Sequence, residues 1–247
     1  MVDLVSKVNL KDPSGLRRTE ERRAVEVQKD LDAAMKRALD RVTSSGVTDP
    51  LVIKSIVDSE LSHFDTTARD KVLKWVKDSR ARGEIRGAQL LKVGGVELGV
   101  RAILGGGGIS DDVRKAVEVR VAGSFETLSA SSRQKLTQVL VDGMQAGNGP
   151  RVIAKAISED LAIERNRATV IARTETMNGF RDGATAQFQR HGIEEEEWLS
   201  TVGDSRTCDE CAALNGTRYK VGQRPHVHGG TDISCRCIGL PVIPEVD

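Results

Sequence analysis

The residues best able to do chemistry stand near the end of the chain. Cys208-Asp209-Glu210-Cys211 is followed, twenty-three residues on, by Cys235-Arg236-Cys237, and these are all the cysteines present. A C-x2-C pair on a turn aims two thiolates at one centre, and zinc takes four such ligands tetrahedrally. His226, His228 and Asp232 lie between the two pairs. The candidate metal set is therefore Cys208, Cys211, Cys235, Cys237 and His228, with zinc as the structural cofactor and His226 and Asp232 as further candidates. Two other readings stand beside it: disulfides formed after release from a cell, and free, partly buried thiols. Some staple is required in each case but the last. The final fifty or so residues hold one Trp and one Tyr, and so small a module rarely buries enough surface unaided.

Catalysis at this cluster is poorly supported. His226-Val227-His228 beside a C-x2-C pair would suit an HNH-like nuclease. Such an enzyme needs a general-base His, a metal-binding His and usually two C-x2-C pairs. Here the second pair is C-x-C, and no Asn-x-His follows. A zinc deaminase would need H-x-E followed by P-C-x-x-C, which is absent. No catalytic residue is assigned, and the chain is read as a non-enzyme. Upstream, Ala168, Ile171 and Glu175 share one helix face. Glu175 thus sits at the edge of an apolar stripe, where a carboxylate wants a fixed partner, and it reads as a polar tie between its helix and the cysteine module.

The elements that must position these groups are mostly helical. Leu31, Met35, Ala38 and Val42 form a stripe at three- and four-residue steps along a charged helix from about Leu16 to Val42. Ser44-Ser45-Gly46 ends it, and Asp49-Pro50 opens a helix through Val57. Further helices are expected over Asp65–Arg82, from Asp111 to about Thr127, from Ser131 through Met144, over Ile153–Leu161, and from Arg165 to Arg190. Residues 84–104 mix helical and strand spacing. Gly105-Gly106-Gly107-Gly108 is the clearest break and reads as a flexible joint, since no Gly-Lys-Ser/Thr follows to make a phosphate loop. Past Gly192 the pattern changes to short strands and turns, with Trp198 in an alternating stretch.

The fold class expected is mainly α: extended N-terminal helices, then a helical segment, then a small α+β cysteine-rich module. The expected domains are 1–104, a glycine hinge at 105–109, and 110–247 with the cysteine-rich module at 194–247. The composition agrees. Of 247 residues, aromatics make up 3% and charged residues 30%, which suits small separate cores, or cores completed by other subunits, better than one large aromatic core. Lys+Arg is 37 against Asp+Glu 36, which excludes binding to nucleic acid by bulk positive charge. No run of 18 apolar residues exists, so no membrane partner is expected. The first residues carry no signal pattern, so the product is expected to be made and kept in a cytoplasm, where clustered cysteines point to metal before disulfide.

The ordered features from about residue 130 to 243 resemble the phage Mu F-like minor head proteins, the phage head morphogenesis family. Those features are Gly147-Asn148-Gly149 before Ile153-Ala154-Lys155-Ala156-Ile157, the run RATVIARTE from Arg167 to Glu175, and Trp198. Then come Asp204-Ser205-Arg206-Thr207-Cys208-Asp209-Glu210-Cys211, Leu214-Asn215-Gly216, and Cys235-Arg236-Cys237 before Pro241-Val242. The family's tail pattern is P-x-H-x-x-C-R-C, with its His as a fourth ligand. Here Asp232 stands at that position, while His226 and His228 come earlier. The resemblance implies a minor capsid protein of a tailed virus, located in the virion head near the portal vertex and assembled in the host cytoplasm. The implied partners are the portal protein and the major capsid or scaffolding protein, with viral DNA as a further contact, and the family brings no catalytic residues with it.

An alternative reading is a zinc-bearing nucleic-acid-binding module using Arg165, Arg167, Arg173, Arg181 and Arg190 as phosphate contacts. A nuclease is the third. The N-terminal stripe through Leu31 and Met35 has no obvious partner in the sequence, and is expected to dock on portal or capsid.

The glycine run gives the first test. Limited proteolysis of the free protein should nick it within Gly105–Gly108 before any flanking helix. Protection equal to that of the helices would remove the joint.

Overall fold

The computed structural model describes residues 4–99, 111–201, 207–227 and 232–244, without the side chains of residues 112 and 113. The chain is mostly helical, with a small three-stranded antiparallel sheet near its end, as expected. Among the described residues the helices are α1 (Arg17–Ser45), α2 (Pro50–Val93), α3 (Asp111–Gln145), α4 (Pro150–Asp160) and α5 (Ala162–Arg190). Strand β1 (Glu195–Leu199), the short helix α6 (Asp209–Leu214), β2 (Arg218–Lys220) and β3 (Ile238–Pro241) follow. No described helix is long and apolar enough to cross a membrane.

Local chemistry sets the ends. Ser14 Oγ accepts from Leu16 N at 3.1 Å just before α1, and Gly46, at φ +63°, closes it. Asp49 Oδ1 caps α2 through Leu51 N at 2.8 Å. Two expected breaks do not occur. α2 runs unbroken through the gap expected between Val57 and Asp65, because no Gly or Pro lies between Leu51 and Arg82 to stop it. α3 likewise continues through Ser129–Ser132. Ser129 Oγ donates to Asp65 Oδ2 at 2.6 Å, and Ser131 Oγ bonds the carbonyl of Leu128 at 3.3 Å, so neither caps a new helix. Of the ambiguous residues 84–104, those to Val93 are helical; Gly94 and Gly95 then form a turn, and residues 96–99 follow without regular structure.

The chain divides into two compact units. One holds residues 22–73 and 112–172; the other holds 1–21, 74–111 and 173–247. Each draws on residues from both sides of Gly105–Gly108, and that run lies outside the described residues.

In the first unit Leu31, Met35, Ala38 and Val42 are all buried. The docking expectation for this stripe is therefore corrected: its apolar face is already covered within the chain. Phe64 meets Phe125 edge-on, with ring centroids 6.3 Å apart. Arg133 reaches Asp65 at 2.5 Å and Asp58 at 3.5 Å, while Arg37 and Arg41 share Glu60, each at 2.8 Å.

The second unit contains the sheet, in the order β2-β1-β3, with Glu196 opposite Tyr219 and Trp198 opposite Gly239. One of its cores gathers Leu16, Leu91, Phe180, Phe188 and Leu240; another gathers Trp198, Tyr219, Val227 and three cysteines. Within this unit α2 and α5 touch backbone to backbone. A Cβ on Gly83 would lie 1.9 Å from the Phe180 carbonyl oxygen, one on Gly183 2.0 Å from that of Arg80, and one on Gly179 2.7 Å from that of Val76. Glycine inside a helix costs ~1 kcal/mol against alanine. Here that cost is offset by contact that no side chain would permit.

Alanine substitution should therefore have opposite signs at different helical glycines. Gly83→Ala or Gly183→Ala should destabilise by about 1–3 kcal/mol through overpacking. Gly123→Ala in α3, where nothing lies within 4 Å of the added carbon, should stabilise by ~0.5–1 kcal/mol. Urea unfolding measures all three, and a stabilised Gly83→Ala would refute the close contact.

Candidate metal centre

The first half of the centre is a helix start. Cys208 is the N-cap of α6, and its Sγ accepts from Cys211 N at 3.3 Å. One turn thus holds both residues of the C-x2-C pair. The second half is a tight loop in which Asp232 (φ 50°) and Ser234 (φ 54°) adopt left-handed backbone. Such backbone is costly for residues with a Cβ and persists only when neighbours hold it. Asp232 N bonds the Val227 carbonyl and Cys235 N the Asp232 carbonyl, both at 3.1 Å. Ser234 N donates to Thr174 Oγ1 at 3.0 Å.

This brings Cys211, Cys235 and Cys237 together. All three are buried, and their Sγ atoms lie within 4.8 Å of one another, with Cys211 and Cys235 3.8 Å apart. All four cysteines are free thiols, so the disulfide reading is not what the structure holds. The arrangement is a possible metal site. For zinc–thiolate bonds of ~2.3 Å in a tetrahedron, ligand sulfurs should be ~3.8 Å apart, so the donors fit. Cys208 is half-buried on the adjoining turn, and His228 lies outside the described residues. Asp232 and His226 are occupied with each other. Asp232 Oδ2 faces His226 Nδ1 at 2.9 Å and accepts from Arg224 Nη1 at 3.2 Å, while Oδ1 accepts from Val227 N at 2.9 Å.

Electrostatics single out one thiol. Hydrogen bonds from Cys211 and Cys237 hold the Cys235 thiol far below the ordinary thiol range, against burial and with help from Arg181 and Arg224. Cys211 is pushed up by its hydrogen bond to Cys235, then by burial, and Cys237 is raised by the same two causes. Arg224 Nη2 donates to Cys235 Sγ at 3.2 Å, and the guanidinium stacks 4.2 Å from the Trp198 ring centroid.

Helix α5 grips the loop along one face. Thr174 takes Ser234 N, Arg181 Nη1 donates to the Cys235 carbonyl at 3.1 Å and the Cys237 carbonyl at 3.4 Å, and Thr185 Oγ1 donates to Glu196 Oε1 at 3.1 Å. Arg236 pairs with buried Glu20 of α1, whose carboxyl burial raises against the opposing pull of Arg236. Thr174 and Arg181 make a tie of the kind expected of Glu175, which is itself buried. The signal for it was in the sequence, because Thr174, Arg181 and Thr185 recur at seven- and four-residue steps and so share a face.

The arginines proposed as phosphate contacts are engaged within the chain. Arg165 pairs with Asp32, Arg167 donates to Ser131 Oγ at 3.2 Å, and Arg190 meets Glu84 at 2.9 Å. Arg173 has an internal partner and Arg181 is buried. These guanidinium groups are thus occupied within the fold.

Residues 134–239, from within α3 into β3 and including all four cysteines, match the family described as Phage Mu protein F like protein. Residues 134–239 thus form a Phage Mu protein F-like domain. No curated protein matches the chain, and no solved structure does.

Glu196 supplies a pH test. Burial raises its carboxyl above the ordinary glutamate range, against hydrogen bonds from Thr185, Tyr219 and the Gly222 amide. A raised folded-state value means that the folded form binds the proton more tightly. The resulting stabilisation is full below the unfolded-state value and is lost as pH rises through the folded one. Relative to Glu196→Gln, the wild type should therefore gain stability as pH falls from about 8 to about 4. Urea midpoints that move the other way would refute the assignment.

Proposed function

We propose that this chain is a minor head protein of a tailed virus, a structural component that assists head morphogenesis at the portal vertex. The observation that carries this is the family match over residues 134–239, the span that holds the cysteine centre and the helix gripping it. Its partners are the portal protein and the major capsid or scaffolding protein, with viral DNA as a further contact. The protein resides in the virion head and is assembled in the host cytoplasm.

The cysteine centre serves this role as a structural zinc site. Cys211, Cys235 and Cys237 are its buried ligands, with Cys208 on the adjoining turn or His228 completing the set. Bound there, zinc would cross-link α6 to the loop before β3 and supply the folding energy that a module with so little aromatic core lacks. The chain's own residues do the rest. Thr174 and Arg181 fix the loop, and Arg224 covers Cys235 on the Trp198 side.

Purified particles decide the assembly reading. The chain should co-purify with the portal protein from disrupted heads, in few copies. Its absence from mature particles and from heads under assembly would overturn the proposal. Elemental analysis of reduced protein should find about one zinc per chain, and metal-free protein would refute the zinc site alone.

A further inference from the structure

We propose that Arg181 and Arg224 are the counter-ions of the thiolate centre, and that their charge sets how tightly it holds a divalent, thiophilic metal. This rests on the zinc reading above.

The argument begins with what each guanidinium touches. Arg181 is buried, and the groups it hydrogen-bonds, the carbonyls of Cys235 and Cys237 and Asn178 Oδ1, are all neutral. Arg224 lies against Cys235 Sγ and the Trp198 face, and the carboxylate it meets, Asp232, is shared with His226. Two guanidiniums therefore face the cysteines, Arg224 at Cys235 Sγ and Arg181 at the carbonyls beside it, with the Asp232 carboxylate against Arg224. Buried charge is costly unless compensated. Three thiolates on a dication carry one net negative charge, and a fourth thiolate makes two. The loaded centre is therefore an anion, and the two guanidiniums are the cations placed against it. They are in turn what makes burying that anion tolerable. Neutral hydrogen-bond donors would fix the loop equally well, so the use of two guanidiniums here is explained by their charge.

The test is zinc affinity of the full chain, measured by competition with a chromophoric chelator. Cobalt absorption serves as a check on the ligand set. Arg224→Gln keeps a donor but removes the charge. It should weaken zinc binding by about 10–100-fold, the usual cost of losing a group that supports metal ligands from behind, while the thiolate-to-cobalt band stays unchanged. Arg224→Lys should recover affinity to within a few-fold of wild type. A purely structural role would instead lower metal-free stability in both variants and leave the Lys variant as weak as the Gln one, which would overturn the inference. Wild-type affinity in Arg224→Gln would overturn it too, with the zinc site left standing. A wild type that binds no zinc would sink the zinc reading and the inference together. If Arg224→Gln does not fold, Arg181→Lys takes its place. Near-normal affinity supports charge as the cause, and a tenfold or larger loss shows that the forked contact matters instead and overturns it.

Discussion

Two helices can meet backbone to backbone only where neither presents a Cβ, and the second unit depends on one such contact. Gly83 of α2 lies against Phe180, while Gly179 and Gly183 of α5 lie against Val76 and Arg80. With α5 seated this closely, its polar face is fixed in position. That face carries Thr174, Arg181 and Thr185, which reach Ser234, the carbonyls of Cys235 and Cys237, and Glu196. The positions of two of the candidate ligands thus follow from the fit of two helices far from them in sequence. A shift of α5 by one carbon's width would be felt at the sulfurs.

The same arrangement explains how strained backbone survives at the centre. Asp232 and Ser234 hold left-handed conformations that a free loop would abandon. Each is tied: Asp232 through both carboxylate oxygens and its amide, Ser234 through its amide to Thr174. Arg236 is tied in addition to Glu20. The loop is held before any metal arrives, so binding need not bear the full cost of ordering it.

Much of this was legible in the residues. Asp49-Pro50, Gly46, Gly147 and Gly192 mark helix ends by chemistry that operates locally, and the C-x2-C pair, expected on a turn, lies on the first turn of a short helix. The errors came where tertiary contact overrides local signals. Ser131 looks like a cap, yet its hydroxyl is taken by the helix's own carbonyl at Leu128. Gly83 looks like a helix weakener, and its value appears only beside Phe180. The stripe through Leu31 and Met35 shows that a face must be buried but not what buries it. Arg181 shows the limit most clearly. Nothing in its neighbours along the chain tells a buried cation from one offered to phosphate. Only its step from Thr174 and to Thr185 hints at a shared face.

The pairing of Glu20 with Arg236 joins residues more than two hundred positions apart, and this bears on the order in which the molecule can be made. At ribosomal speeds of about 5–20 residues per second, the acid would wait on the order of 10–40 s for its partner. The unit built from 1–21, 74–111 and 173–247 therefore cannot close early in synthesis. Its first segment emerges without a place to dock, and α2 emerges with its glycine face uncovered. Completion falls to the last stretch of chain, which also brings two of the cysteines. A nascent chain is thus distinguishable from a finished one by surface alone, until synthesis has passed the second cysteine pair.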